Sequence, residues 1–277
     1  MVELLGGADI RQLADALGVV PTKKLGQNFV IDPNTIRKIV SSAKLEPNET
    51  VVEIGPGLGS LTLGLLEVAE KVISVEIDPK MAAAIEATVA KRAPNTNFSL
   101  VSQDAMKVTE LPHDPTALVA NLPYNISVPV LLHFIETFPT LNHGLVLVQS
   151  EVAHRLAAKK GSKVYGSPSA KLAWYADATL AGNVSRNIFW PIPNVDSSLV
   201  YFAKRESPLG SEVLRKKTFD IIDAAFGQRR KTLRQALAEY AGSPAQAEEL
   251  LTKAGISPQA RGEQLDIHDF KKIAEQA

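Results

Sequence analysis

The sequence predicts an α/β fold with a mostly parallel sheet, followed by a smaller all-helical region. From residue 50 onward, short apolar strand patterns alternate with helix patterns, which is typical of a parallel sheet with helices on both faces. A glycine-rich turn, Gly55–Gly59, lies directly between a buried strand and a helix, where such sheets bind ligands. From about Pro208 only helical patterns remain, so the fold class changes near the end of the chain.

Composition excludes several classes of protein. The chain has 277 residues, 45% of them hydrophobic, with 30 basic and 30 acidic side chains and no cysteine. Disulfides and thiolate metal sites are therefore excluded, and we predict no metal site. No apolar run reaches the roughly 18 residues of a membrane span, and the start of the chain lacks a basic-then-apolar leader. We therefore expect a cytoplasmic protein with no membrane partner. We also expect a monomer.

The first residues predict two helices joined by an irregular segment. Residues 8–17 form the first, with Asp9 as its cap and Gly18 at its end. Residues 21–30 show no helix or strand period, and they are interpreted either as a cofactor lid or as a plain surface loop. A second helix begins at Asp32-Pro33, a capping residue followed by a proline that is favoured in the first turn.

The alternating region supplies the sheet. Its strand patterns are buried and apolar, and they fall at 50–54, 71–75, 98–101, 116–120, 144–148, 177–180 and 198–203. The intervening helix patterns begin at Leu61 or cover 79–92, 127–137 and 150–159.

The last part of the chain predicts helices only. They cover 211–226, 229–241, 244–254 and 266–276, and glycine or proline residues separate them. We place a domain boundary near residue 206, which gives domains of residues 1–206 and 207–277.

Three successive strand ends predict a cofactor site. The glycines follow G-x-G-x-G and not G-x-G-x-x-G, which disfavours a dinucleotide pyrophosphate. Glu76, at the next strand end, suits the hydroxyls of a ribose, and Asp104 can accept from an adenine amine. Each feature alone has an ordinary alternative: the glycines can form a plain turn, Glu76 can be a solvated carboxylate, and Asp104 can cap a helix. Together they describe an adenosine pocket without phosphates, which favours S-adenosylmethionine over NAD.

The segment Asn121–Tyr124 predicts the reacting site. An adenine amine is a poor nucleophile because its lone pair is delocalised into the ring, and two acceptors aimed at its N–H bonds would localise that pair. The side-chain oxygen of Asn121 is one candidate, and the carbonyl of Leu122 or Pro123 is the other. Tyr124 can stack on an extruded base. The alternative is an ordinary turn after a strand.

A local excess of positive charge predicts contact with RNA. Between Lys204 and Arg234 the chain has nine basic residues and four acidic ones. Four of the basic residues recur along the helix predicted at 229–241, namely Arg229, Arg230, Lys231 and Arg234. Arg155 extends this set, with Lys159, Lys160 and Lys163 beyond it. A solvated helix face is the alternative, but phosphate contacts supply most affinity that does not depend on sequence.

A second apolar feature lies before the last strand. Phe189, Pro191 and Pro193 could form a wall beside the target base, and packing in the core is the equal alternative.

Several motifs make the chain resemble the ribosomal RNA adenine N6,N6-dimethyltransferase family, above all its bacterial small-subunit members. The segments that carry the resemblance are 24–29, 52–58, 121–125, 149–155, 189–197 and 226–233. The resemblance implies a Rossmann-like class I methyltransferase sheet of about seven strands. It also implies a C-terminal helical domain that binds RNA.

The resemblance also implies an activity. We expect dimethylation, with S-adenosylmethionine as donor, of two adjacent adenines in a hairpin loop near the 3′ end of 16S rRNA, within a small-subunit precursor. Asn121, Leu122, Pro123 and Tyr124 are the expected catalytic residues. The expected donor-binding residues are Gln27, Asn28, Val30, Gly55, Gly57, Glu76, Ile77, Asp104, Ala105 and Asn121.

The chain departs from the family pattern in two places. Pro168 stands in the segment Tyr165–Ser169, where the family usually has Leu, and Asn194 stands where lysine is frequent. The proline puts in doubt the shape of the loop that follows helix 150–159.

Two other functions fit part of the sequence. One is a methylase of large-subunit rRNA, against which the sequence after Phe226 argues. The other is an RNA-binding assembly or transcription factor that has lost catalysis, against which the presence of Glu76, Asp104 and Asn121 argues.

Overall fold

The computed structural model describes residues 2–18 and 28–277. The chain divides into two compact units, Met1–Ala153 with Thr179–Lys204, and His154–Ala178 with Arg205–Ala277. The predicted boundary, between residues 206 and 207, differs from this division, because the prediction placed residues 154–178 in the same domain as the sheet. That the helical part forms an RNA-binding domain stays a prediction.

A seven-stranded sheet organises the first unit, as the sequence predicts. With a separate strand pair, the strands are β1 (Phe29–Val30), β2 (Thr50–Ile54), β3 (Lys71–Glu76), β4 (Phe98–Ser102), β5 (Ala117–Asn121), β6 (His143–Gln149), β7 (Ala176–Val184), β8 (Phe189–Trp190) and β9 (Ser197–Lys204). The order in the sheet is β4-β3-β2-β5-β6-β9-β7. From β4 to β6 neighbouring strands are parallel, and β9 is antiparallel to β6. The carboxyl ends of β2 to β5 therefore meet at one edge.

Two helices of the first unit begin directly after a capping aspartate, but the first helix begins at Gly7, two residues before Asp9, so the prediction of Asp9 as its cap is wrong. The helices of this unit are α1 (Gly7–Ala16), α2 (Pro33–Ser42), α3 (Ser60–Leu66), α4 (Pro79–Arg92), α5 (Ser127–Thr137) and α6 (Ser150–Leu156), the last of which runs into the second unit. Asp32 accepts from the Thr35 amide at 2.8 Å, and Asp78 accepts from the Lys80 amide at 2.8 Å. Each cap is followed by a proline in the first turn, which needs no amide partner.

Apolar side chains on the sheet and helices form the core of the first unit. Val51, Val72 and Ala117 are fully buried on the central strands, and Ile36 and Ile39 pack from α2. Parallel strands covered on both faces need such continuous apolar sequences. The core thereby fixes the strand ends that carry polar residues.

The second unit is helical and has its own core. Its helices are α7 (Ser167–Tyr175), α8 (Glu212–Gly227), α9 (Leu233–Ala236), α10 (Ala238–Ala241), α11 (Pro244–Lys253) and α12 (Ile267–Glu275). Tyr165, Trp174 and Phe270 are buried in its core, and the ring of Phe226 contacts those of Tyr165 and Phe270. No described helix is long and apolar enough to cross a membrane.

The prediction of one helix at 229–241 is wrong. Residues 228–231 form a turn, and two short helices, α9 and α10, follow. The amides of Leu233 and Arg234 donate to the carbonyls of Ala260 and Pro258, at 2.7 and 3.1 Å. These amides are held by a neighbouring loop, so the helix starts after Thr232 although the sequence favours helix earlier.

Four further elements differ from the sequence prediction. Helix α6 ends at Leu156 and not at residue 159, and α7 was not predicted. Pro168 occupies the first turn of α7, so this departure from the family pattern stands at a favoured position for proline. The two-residue strands β1 and β8 pair with each other and were also not predicted, because two residues carry no period.

Candidate active site

A cavity of about 330 Å³ lies in the first unit, where the carboxyl ends of β2, β3, β4 and β5 meet. Nine of the ten predicted donor-binding residues line it: Asn28, Val30, Gly55, Gly57, Glu76, Ile77, Asp104, Ala105 and Asn121. The tenth, Gln27, lies outside the described residues. So does most of the segment 21–30 that was interpreted as a lid.

The glycine turn after β2 requires residues without a side chain. Gly55, Gly57 and Gly59 have φ of +68°, +56° and +96°, in the left-handed region that glycine adopts without strain. A Cβ at Gly57 would also lie 2.8 Å from Cε1 of Phe29. The turn therefore lets the β1 segment approach the end of β2 closely.

Glu76 supplies a buried carboxylate at the end of β3. It is 8% exposed and accepts from the Asp78 amide at 2.9 Å. Burial raises the pKa of Glu76, and hydrogen bonds from the amides of Asp78, Gly57 and Ile77 oppose that rise. The amides orient the carboxylate at the cavity wall, where it can accept from paired hydroxyls.

Asp104 lies at the end of β4 and serves as a cap as well. One of its carboxylate oxygens accepts from the Met106 amide at 3.0 Å, at the start of a single 3₁₀ turn, Ala105–Lys107. The alternative interpretation of Asp104 as a helix cap is therefore correct, and the residue lines the cavity too.

Asn121 ends β5 beside the glycine turn. Its Nδ2 donates to the carbonyl of Asn28 at 3.0 Å, which fixes the amide plane and sets the direction of Oδ1. Pro123 lies next to the turn, since its ring carbons are 3.8 Å from a Cβ built on Gly55. The amide acceptor and the glycine turn therefore share one cavity, which is the juxtaposition that the predicted chemistry requires.

Leu122 and Tyr124 do not line the cavity, unlike Asn121 and Pro123. The Leu122 side chain is buried in the protein, and its amide donates to the Leu147 carbonyl at 3.1 Å. The phenol of Tyr124 is hydrogen-bonded to Ser197 Oγ at 2.8 Å. Burial raises the pKa of Tyr124, so its hydroxyl stays protonated near neutral pH.

Glu53 is a cavity residue that the sequence analysis did not single out. It is 1% exposed, and its Oε2 accepts from the hydroxyls of Thr62 and Ser74 at 2.6 and 2.8 Å. Burial raises the pKa of Glu53 to about 7. A signal was present, because an acidic residue stands alone among the apolar residues of a buried strand.

The charged side chains that line the cavity are all acidic among the described residues. Among the described residues that line it there are four acids, Glu53, Glu76, Asp78 and Asp104, and no lysine or arginine. Within the described ranges, no group of three or more His, Cys, Asp or Glu side chains is arranged to hold a metal ion. The cavity therefore suits an uncharged or cationic ligand better than one with phosphates.

The predicted RNA-binding residues do not share one helix face, so that part of the prediction is wrong. Arg229, Arg230 and Lys231 lie in the turn before α9, and Arg234 lies within α9. Arg229 donates to Glu263 and to the Lys163 carbonyl, while Arg234 pairs with Glu248 at 2.7 Å. Arg230 and Lys231 are exposed, as is Arg155.

Burial distinguishes the two interpretations of the apolar residues before β9, a wall beside the target base or packing in the core. Phe189 and Pro193 are buried, so packing accounts for both, and Pro191 is half-buried. The exposed apolar side chains of this segment are Ile192 at 60% and Val195 at 44%.

Comparison with known proteins gives consistent results over nearly the whole chain. The model of the family described as ribosomal RNA adenine dimethylase matches residues 21–277. A protein of Streptomyces coelicolor named ribosomal RNA small subunit methyltransferase A is 60% identical, over 98% of this chain and 96% of its own length. A protein of the same name from Thermobifida fusca is 56% identical over 98% of this chain and 96% of its own.

Solved structures agree. A dimethyladenosine transferase from Plasmodium falciparum superposes with a TM-score of 0.75 at 26% identity, over 87% of this chain and 94% of its own. The 23S rRNA methyltransferase ErmE gives a TM-score of 0.67 at 25% identity, over 90% of this chain and 99% of its own.

Glu53 gives the pH dependence of folding a testable sign. Burial raises its pKa from 4.5 to about 7, so between these values the folded chain holds a proton that the unfolded chain has released. This contribution to the free energy of unfolding is complete below the lower value and is lost as the pH rises through the higher one. We expect Glu53→Gln, which cannot ionise, to remove that decline.

Urea unfolding followed by circular dichroism at a series of pH values measures the effect. Glu151→Gln, at an exposed carboxylate, is the matched control and should keep the parent's pH dependence. The same decline in Glu53→Gln as in the parent chain would contradict the assignment.

Proposed function

The chain belongs to the ribosomal RNA adenine dimethylase family, and on this basis we propose that it transfers methyl groups from S-adenosylmethionine to N6 of adenines in small-subunit rRNA. The observation that carries the proposal is the shared cavity of Asn121 and the glycine turn. Relatives at 56 to 60% identity, named small subunit methyltransferases, support the choice of subunit.

The cavity residues fit the donor. Glu76 would accept from the ribose hydroxyls and Asp104 from the adenine amine. Asn28 and Val30 would lie along the amino-acid end, across from the Gly55 turn. A sulfonium donor carries positive charge and no phosphate, which agrees with a wall that has acids and no cation among its described residues. When bound, it supplies an electrophilic methyl group.

The protein's part in the chemistry is to prepare the attacking nitrogen. The oriented Oδ1 of Asn121 would accept one amine hydrogen. The Pro123 carbonyl already accepts from the Ile126 amide at 3.2 Å, so the Leu122 carbonyl is the better candidate for the other hydrogen. Held in this way, the nitrogen would present its lone pair to the methyl group that the bound donor supplies, and the proton that the nitrogen then gives up would pass to solvent. Alignment and placed dipoles are sufficient because the amine is neutral.

We further propose the finer target and setting. The substrate is a pair of adjacent adenines in a hairpin loop near the 3′ end of 16S rRNA, within a small-subunit precursor in the cytoplasm, and the enzyme acts as a monomer. Loop bases suit the site because they are unstacked and can enter it, while the surrounding RNA is recognised by shape.

Contact with the RNA backbone belongs to the second unit in this proposal. Arg230 and Lys231 are its best candidates because both are exposed. Arg155 joins them on the same ground. Arg229 and Arg234 would contribute less, since each already pairs with a glutamate of its own unit.

Two other functions give different outcomes in one assay. The likeness to ErmE keeps a large-subunit methylase in view, and an RNA-binding factor without catalysis is the other alternative. The chain is incubated with methyl-labelled donor and unmodified ribosomal subunits, and the nucleosides are then separated. We expect labelled dimethyladenosine in small-subunit RNA. Label only in large-subunit RNA, or binding without label, would overturn the proposal.

Replacing Asn121 tests its role directly. We expect Asn121→Ala to lower turnover about a hundredfold, the usual effect of losing one preorganised polar group, and to change donor affinity less than tenfold. Single-turnover kinetics and calorimetric titration with S-adenosylhomocysteine measure the two effects. Asn97→Ala is the control, since Asn97 lies at the amino-terminal end of β4, whereas the cavity lies at the carboxyl ends of the strands. Turnover close to that of the parent would remove Asn121 from the reaction.

Exposed charge in the second unit gives a salt-dependent test. We expect the double substitution Arg230→Ala with Lys231→Ala to weaken RNA binding and to lower the slope of log affinity against log salt by about 1 to 2, because up to two phosphate contacts are lost. The control, Lys216→Ala with Lys253→Ala, removes the same charge from exposed lysines that pair along their own helices. Equal slopes in both variants would exclude this turn from the interface.

A further inference from the structure

The hydrogen bond between Tyr124 and Ser197 links two segments that are distant in sequence. Their side-chain oxygens lie 2.8 Å apart, and 73 residues separate them along the chain. Tyr124 belongs to the turn that carries the proposed acceptors. Ser197 is the first residue of β9, at the end of the segment that follows β8. The contact therefore joins the reacting turn to the start of β9.

Ser197 is a rigid anchor. It is fully buried, and its strand pairs with β6 without a break from His143↔Ala203 to Gln149↔Ser197. A hydroxyl on such a strand has little freedom to move. Tyr124 stands in a turn, where its ring could otherwise rotate about the side-chain torsions.

The ring of Tyr124 lies outside the donor cavity. Pro123, Asn125 and Ile126 line the donor cavity and Tyr124 does not, so the ring stays outside the volume that the donor would fill. A base that reaches Asn121 must come from outside that volume. Because stacking depends on the plane of the ring, a fixed phenol sets the plane against which the base rests.

We propose that Ser197 is a positioning residue for the target adenine, which acts by fixing the Tyr124 ring through this hydrogen bond. The proposal rests on the function proposed above and extends it to a residue outside the donor cavity. Burial keeps the Tyr124 hydroxyl protonated, so the phenol is an anchor and not a base.

The other end of the same segment is also attached to the site. β8 pairs with β1, and the ring of Trp190 stacks on that of Phe29 with centroids 6.3 Å apart. The residues between Trp190 and Ser197, which include the exposed Ile192, are therefore held at both ends. A fixed ring and a segment attached at both ends give the base a preformed place.

A double-mutant cycle separates positioning from mere stability. We expect Ser197→Ala to lower kcat/KM for the RNA substrate up to about tenfold, the scale of one net hydrogen bond, and to leave the affinity for S-adenosylhomocysteine within about twofold. Tyr124→Phe, which keeps the ring and loses the hydroxyl, should cause a similar loss. The double variant should be no worse than either single one, because both changes remove the same bond.

Ser198→Ala is the matched control. Ser198 is the adjacent buried serine, but its hydroxyl bonds to Ser150 and Asn183 and not to Tyr124. We expect this variant to keep the parent's kcat/KM. Thermal unfolding of all four variants shows whether a loss of activity follows a loss of stability.

Three results would overturn the proposal: full activity in Ser197→Ala, additive losses in the double variant, or an equal loss in Ser198→Ala. Failure of the proposed function is distinguishable, because then the parent chain itself would form no dimethyladenosine.

Discussion

The pairing of β2 with β5 is the constraint on which the site depends. The two strands are parallel neighbours, with Val51 opposite Ala117 and Val52 opposite Leu118. This register brings the glycine turn after β2 and Asn121 at the end of β5 to the same edge. A shift of one residue would turn every side chain of β5 to the other face and would bury Asn121 or remove it from the turn. The apolar core that fixes the register is therefore also what aligns the acceptor.

Electrostatics at the cavity follows from the same arrangement. Strand ends bring Glu53, Glu76 and Asp104 together, and burial makes the first two harder to ionise. Hydrogen bonds from backbone amides and hydroxyls partly offset that cost. A cationic donor would offset it further, because opposite charge favours the ionised forms. The site thus gains most from a ligand that is positive and carries no phosphate.

The sequence predicted much of the fold because its signals were local. Asp32 with Pro33 marked a helix start that the structure confirms, and the helix predicted at 79–92 is α4, Pro79–Arg92. The missed features depend on distant partners: the amides of Leu233 and Arg234 bond to another loop, and β1 needs β8. The cavity set could be predicted because strand ends in a parallel sheet converge. The partners of Tyr124, Arg229 and Arg234 could not, since nothing in the sequence places them beside Ser197, Glu263 and Glu248.

The contact between Phe29 and Trp190 gives the molecule an optical property. Phe29 lies against Gly57 in the donor cavity, and the ring of Trp190 stacks on the ring of Phe29. The chain has two tryptophans, and the other, Trp174, is buried in the core of the second unit. Only the ring of Phe29 thus separates the fluorescent indole of Trp190 from the donor cavity. With Trp174 replaced by phenylalanine, the protein would carry a single tryptophan, close to its ligand site.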